Sequence, residues 1–300
     1  MAKFQYGGLA LGLIQAVSAL ATGLAPVPLV DLKAANPFAV LSRVGVTGGS
    51  ILEYSQSVVI GDIGLAPPGN SENFYFAPPN RHIGADHNQA DPLSSIAYND
   101  FVAAYNNAQG RPATRTLNGN LGGGLIITPG VYQWTGGPRD STRAEGVLTF
   151  DAKNDPKAVF IVKIPNSLIA TGLGGNRLTT VLKGGANPCR IFWVVGDSVT
   201  LTSAVFVGTI LANKDITVNP ASKIAGALYS VQGSVAIYNS LVVHKGCDLE
   251  KPAGKQGPSD KWGPEDEEKW DRLSKWEGEE WWTDDEENNW DQWEKWDKEE

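Results

Sequence analysis

Few residues in this 300-residue chain could do chemistry. Its three histidines are His82, His87 and His244. His82, Asp86 and His87 form a small imidazole–carboxylate cluster in sequence, but without the ligand spacing of a metal site and within a polar loop. Asp197 and Asp215 fall near equivalent corners of successive repeats, where two carboxylates could face one another across a polysaccharide as acid and base. Corner aspartates ordinarily bond turn backbone, and that role is the expected one. There is no P-loop, no Cys-x-x-Cys and no nucleophile elbow. The expectation is a non-enzyme with no catalytic residues, no metal ligands and no cofactor. Cys189 and Cys247 are the only cysteines; an even count permits one disulfide in an exported protein, or two free thiols.

What remains chemically is hydroxyl and methyl groups, and a repeat arranges them. Val205–Val207, Lys223–Ala225 and Leu241–Val243 each lie 18 residues apart. Phe192-Trp193-Val194 maps onto Ile210-Leu211-Ala212 and Leu228-Tyr229-Ser230 at the same offset. With small slips, 168–171, 199–202, 216–219 and 235–238 are also equivalent. A short period of strands with Gly or Asn corners is the mark of a solenoid with three strands per coil. Alternation sends Leu168, Val199, Ile216 and Val235, with Ala170, Leu201, Val218 and Ile237, inward. The outward set is then Ile169, Thr200, Thr217, Ala236 and Thr171, Thr202, Asn219, Tyr238. It is a rank of mainly small residues, with Ile169 bulky and Tyr238 breaking flatness at one end. A second face carries Val205, Val207, Lys223, Ala225, Leu241 and Val243. The third, with Trp193, Leu211 and Tyr229 outward, suits the underside of a helix.

That helix is legible. Asp91 can cap it and Pro92 suits its first turn. Leu93, Ala97, Phe101, Ala104 and Ala108 form one apolar stripe, and Gly110 and Pro112 end it, so a helix is expected near 92–108. Short strands precede it between 34 and 65, and residues 69–90 read as a long loop or capping insertion. Lys3, the apolar run from about Leu9 to Leu20 and Ala19-Leu20-Ala21 read as a signal peptide over 1–21, which implies secretion. The body is expected over 22–248. From 249 to 300 aliphatic residues nearly vanish between acidic blocks and tryptophans, the composition of a disordered tail. Residues 250–300 hold 8 basic and 19 acidic side chains, against 17 and 14 in the rest. Neither part forms a basic groove for nucleic acid, and no segment suits a membrane span.

Several motifs, taken in order, resemble one family. They are Phe38-Ala39-Val40-Leu41, Ile60-Gly61-Asp62-Ile63-Gly64, Ala104-Tyr105-Asn106-Asn107-Ala108, Thr128-Pro129-Gly130-Val131-Tyr132, Leu148-Thr149-Phe150-Asp151-Ala152, Cys189 through Gly196, and Phe206 through Ala212. Over about residues 36–246 the chain is similar to the microbial ice-binding proteins of the DUF3494 type. The resemblance implies an all-β fold: a right-handed, discontinuous β-solenoid with one long α-helix packed along its flank and a flat face for ice. On that basis the expected ice contacts are Thr171, Thr200, Thr202, Thr217, Asn219 and Ala236, with ice as the partner of a monomer. Threonine suits the task because it combines a hydroxyl, a methyl and a stiff χ1. The alternative is a secreted cell-wall adhesive whose Trp-rich tail engages polysaccharide.

Overall fold

The computed structural model describes residues 26–49, 57–67, 74–76, 80–88, 91–135, 141–171, 176–244 and 246–247. The expected signal peptide and acidic tail lie outside the described residues. The described chain winds into three all-parallel sheets that enclose one apolar interior. The first has nine strands, in spatial order Asp86–His87, Asp62–Leu65, Phe38–Ser42, Leu228–Ser230, Thr209–Ala212, Ile191–Val195, Phe160–Ile164, Gly130–Trp134 and Arg115–Leu117. The second has eight: Leu125–Ile127, Val147–Asp151, Thr179–Lys183, Val205–Val207, Lys223–Ala225, Leu241–Val243, Val58–Ile60 and Arg81–Ile83. The third, also of eight, runs Phe74–Tyr75, Gly45–Gly49, Ser234–Tyr238, Ile216–Val218, Val199–Thr202, Ser167–Thr171, Ser141–Glu145 and Leu121–Gly122. The architecture is thus a β-solenoid with, among the described residues, one long helix.

The stack is not in sequence order. The N-terminal strands join the last coil: Val40 pairs with Leu228, Val46 with Val235 and Val59 with Val242. The span expected to be a loop, 69–90, instead contributes Phe74–Tyr75, Arg81–Ile83 and Asp86–His87, which extend all three sheets. Its polar composition hides the strands because an end coil has only one neighbour to bury it. The chain then returns through the helix to the far end and winds back.

Coils close through a tight corner between the second and first sheets. Gly208, Gly226, His244 and Gly61 stack there, each N–H donating to the carbonyl that precedes the corner one coil on. Gly61 sits at φ 120°, and a Cβ there would meet the His244 carbonyl oxygen at 2.0 Å. A side chain fits at His244, where the imidazole turns inward and its Nε2 lies 2.8 Å from the Asn36 carbonyl.

Pro92–Gly110 forms the helix; the Asp91 side chain accepts from the Leu93 N–H. Its buried face is Ser94, Ala97, Tyr98, Phe101, Ala104, Tyr105 and Ala108. Leu93, expected in the stripe, is 53% exposed. Ser94 takes its place, donating to the Asn88 and Asp91 carbonyls. Beneath the helix lie Leu41, Tyr229, Leu211, Phe192, Val194, Ile161 and Val131. Leu211 and Tyr229 face it as expected, but Trp193 points into the solenoid. The offset from Ile191–Val195 to the next coil is 17 rather than 18, pairing Trp193 with Ile210. Its ring packs between Phe150 and Phe206, and Nε1–H donates to the Val207 carbonyl at 2.9 Å. At the far helix end Lys163 donates to the carbonyls of Gln109 and Arg111. Cys189 and Cys247 are disulfide-bonded, with Cα atoms 5.5 Å apart, tying the last described residues to the start of Ile191–Val195.

His87 joins the end coil to the helix cap. Its Nδ1 lies 2.5 Å from Asp91 Oδ2 and its Nε2 3.4 Å from Asp62 Oδ2. The bond to Asp62 raises the imidazole above its ordinary value, against burial, and Asp91 adds to the rise. Burial pushes Asp62 up, but its bonds from His87 and the Ala85 N–H outweigh this and leave it lowered. A raised histidine contributes stability that is complete below its unfolded pKa and lost as pH rises through the folded value. His244 is the opposite case, since burial lowers it, and stability falls when acid forces a proton onto it. Thermal denaturation followed across pH should therefore show a maximum near neutrality, and His87→Gln should flatten the alkaline limb and, by returning Asp62 and Asp91 toward their ordinary values, the most acidic part of the acid limb as well. Phe101→Ala, emptying the fully buried centre of the helix face, should cost about 3–5 kcal/mol in denaturant titration.

Candidate functional site: the open sheet face

Each of the three sheets has an outer surface, and among the described residues they differ in cover and in side-chain composition. The first is covered by the helix. The second carries two outward ranks. One runs Val147, Thr179, Val205, Lys223, Leu241, Val58, Arg81; the other contains Thr149 and Val181, then Val207, Ala225, Val243, Ile60 and Ile83. Lysine and arginine interrupt the first rank. Val205 and Val207 are buried, at 6% and 2% exposure, whereas Val147 and Ile83 project at 46% and 42%. That surface is charged and uneven.

In the third sheet the outward charges, Arg143 and Glu145, are confined to the strand Ser141–Glu145 near one edge. Leu168, Val199, Ile216 and Val235, and Ala170, Leu201, Val218 and Ile237, are all buried in the interior. Their neighbours therefore project outward, and the ladder sets them side by side. Ile169 pairs with Thr200, Thr200 with Thr217, Thr217 with Ala236, and Ala236 with Thr47. Alongside, Thr171 pairs with Thr202, and the Asn219 amide donates to Thr202 Oγ1 at 3.1 Å. All six expected contact residues thus share one face, spaced ~4.8 Å between coils and ~6.7 Å along each strand.

The hydroxyls differ in role. Among the described residues those of Thr47, Thr200 and Thr217 have no protein partner, and no buried polar side-chain atom is left unsatisfied. They are half-buried and directed at solvent. The inward Thr180, by contrast, donates to the Val205 carbonyl. Thr47 joins this face without having been among the expected contacts. The alternation Val46-Thr47 matches Val199-Thr200 and Ile216-Thr217, but its partner Ala236 is 189 residues away, so the repeat does not reveal it. Arg143, beside Ile169, ends the rank at the other edge.

The acid–base candidates are structural. Asp197 pairs with Lys214 at 2.8 Å, and this ammonium holds its carboxyl below the usual range. Asp215 accepts from the Ser234 N–H at 2.8 Å. The two carboxylates serve different corner contacts. His82 is likewise occupied on both ring nitrogens, by Asp86 at 2.9 Å and the Gly61 carbonyl at 2.8 Å. Among the described residues no three His, Cys, Asp or Glu side chains are placed to share a metal ion.

A family model described as Ice-binding-like matches residues 41–243, from the end of Phe38–Ser42 through Leu241–Val243. The chain belongs to this family. It is similar to the ice-binding protein of Flammulina populicola, with 32% identity over 242 residues covering 74% of this chain and 91% of that one. Identity to the ice-binding protein of Leucosporidium sp. (strain AY30) is 30% over 234 residues, covering 71% and 82% respectively. Among solved structures, an ice binding protein from an Antarctic biological consortium aligns with a TM-score of 0.65 at 30% identity, covering 74% of this chain and 94% of that one. The ice-binding protein of the ascomycete Antarctomyces psychrotrophicus aligns at 0.62 and 27% identity, covering 73% and 100%. On the third sheet the hydroxyls of Thr47, Thr200 and Thr217 hold no contact of the fold among the described residues. Denaturant titration checks this: Thr200→Ala and Thr217→Ala should each change stability by no more than about 0.5 kcal/mol, whereas Leu201→Ala, at the inward position next to Thr200, should cost about 2–5 kcal/mol.

Proposed function

We propose that this protein adsorbs to ice through the outer face of the third sheet, at Thr47, Thr171, Thr200, Thr202, Thr217, Asn219 and Ala236. The observation that carries this reading is the in-register rank Thr200–Thr217–Ala236–Thr47, whose hydroxyls have no partner among the described residues and whose backbone is locked on both sides by the ladder. Ice offers no pocket to fill and no bond to break, so recognition rests on a rigid, level array. Each methyl shields a little apolar surface, each hydroxyl joins one lattice water, and each contact is weak. Rigidity makes the contacts additive, because no ordering cost is left to meet at the moment of adsorption. Protein held on the crystal forces the ice front to grow as curved surfaces between adsorbed molecules. That curvature lowers the freezing point and slows recrystallisation.

The same reading places the mature protein outside the cell as a monomer, exported by the leader expected over residues 1–21. The Cys189–Cys247 bond supports this, because such bonds persist in oxidising compartments. Any polysaccharide contact made by the tail is separate from ice.

Thermal hysteresis and recrystallisation assays on the mature protein test the proposal. Thr200→Tyr and Thr217→Tyr place a knob in the middle of the rank and should abolish both activities with the melting temperature unchanged. Ala225→Tyr on the second sheet should leave both intact, and so should deletion of residues 249–300. Activity that survives the threonine changes but fails with Ala225→Tyr would move the site to the second sheet. An inactive, folded wild type would refute ice binding.

A further inference from the structure

Tyr238 lies in the rank of Asn219 and Thr202, and an upright phenol there would stand above the threonines and hold a flat solid away. The structure gives it somewhere to lie. Its partner on the next coil is Gly49. A Cβ built on Gly49 would fall 2.7 Å from both Cδ1 and Cε1 of the Tyr238 ring, closer than real Cβ contacts come. The ring therefore extends across the strand gap and occupies the space an outward side chain at Gly49 would need.

Gly49 has no other evident reason to be glycine. It is the last residue of Gly45–Gly49 and does not adopt a left-handed backbone. Its neighbour Gly48 is paired with the inward Ile237, and a Cβ there would meet the Phe76 ring at 2.3 Å. Gly48 thus makes room for an interior ring, and Gly49 for an exterior one. The pair also sits at the junction between the last coil and the N-terminal strands, where the ranks would otherwise break.

We infer that Tyr238 is a flat tile of the ice-contacting face and that Gly49 is its positioning residue, carrying the level surface from Asn219 across onto the N-terminal coil beside Thr47. This deepens the proposed function and rests on it. Gly49→Val supplies a side chain well suited to a strand. The flexible Tyr238 ring is what must move, so the fold is preserved while the phenol is lifted out of plane.

The experiment is thermal hysteresis with a parallel thermal melt on wild type, Gly49→Val, Tyr238→Phe and Gly49→Val/Tyr238→Ala. Gly49→Val is expected to lose most of the activity at an unchanged melting temperature. Tyr238→Phe should keep it, because the ring still lies flat. The double variant should regain most of it, since the introduced isopropyl group then fills the plane with no ring above it. An active wild type with an equally active Gly49→Val overturns the inference and leaves the ice face standing. Loss in Gly49→Val that the double variant does not restore, or that comes with a lowered melting temperature, assigns Gly49 a purely structural role and also overturns it. A wild type without hysteresis removes the reading on which the inference rests.

Discussion

The in-register stacking of parallel coils governs everything else in this molecule. Each coil must return to its starting edge one strand spacing along, so the strands keep register while differences in coil length, 17 residues from Trp193 to Ile210 against 31 from Phe160 to Ile191, are taken up between strands. The corner between the second and first sheets meets that demand by bringing backbone onto backbone, which is why a Cβ at Gly61 has no room. Interior layers must then hold similar volumes. The Phe150–Trp193–Phe206 set fills one of them without leaving the indole nitrogen unpaired. The outer face is regular as a consequence, because the ladder that fixes the inward residues also fixes the outward ones.

A solenoid built this way has two open ends and one awkward seam. The chain handles the seam by folding its first strands onto its last, so that Leu241–Val243 pairs with Val58–Ile60. The helix then carries the chain back along the first sheet, and His87, Tyr229 and Lys163 hold it at intervals. The Tyr229 hydroxyl lies 2.6 and 2.7 Å from the carbonyls of Ala35 and Phe38, and full burial keeps the phenol neutral. One sheet is spent on this strap, one carries charges and projecting aliphatics, and one carries the threonine rank.

Local regularity is the readable part of the sequence. The alternation in 199–202, 216–219 and 235–238 sorts inward from outward residues correctly, and Asp91, Pro92 and Gly110 mark the helix. Its inner face is less exact, since Leu93 is exposed and Tyr98 and Tyr105 are buried. What cannot be read depends on distant pairing. Thr47 meets Ala236 and Gly49 meets Tyr238 only because the stack is discontinuous, and no spacing in the chain announces it. Trp193 departs from its expected outward position for a smaller reason: its coil is a residue shorter than the one after it, 17 against 18, and a single-residue slip turns a strand over. The span 69–90 reads as loop because end-coil strands are short and polar.

The most direct test of the central claim is partition into a slowly growing ice crystal, comparing wild type with Thr217→Tyr in one mixed solution, each carrying a distinguishable label. Adsorption through the third sheet predicts that wild type is enriched in the ice fraction while Thr217→Tyr is excluded like an ordinary solute. Equal enrichment of the two would contradict the assignment of the face, and equal exclusion would contradict ice binding itself.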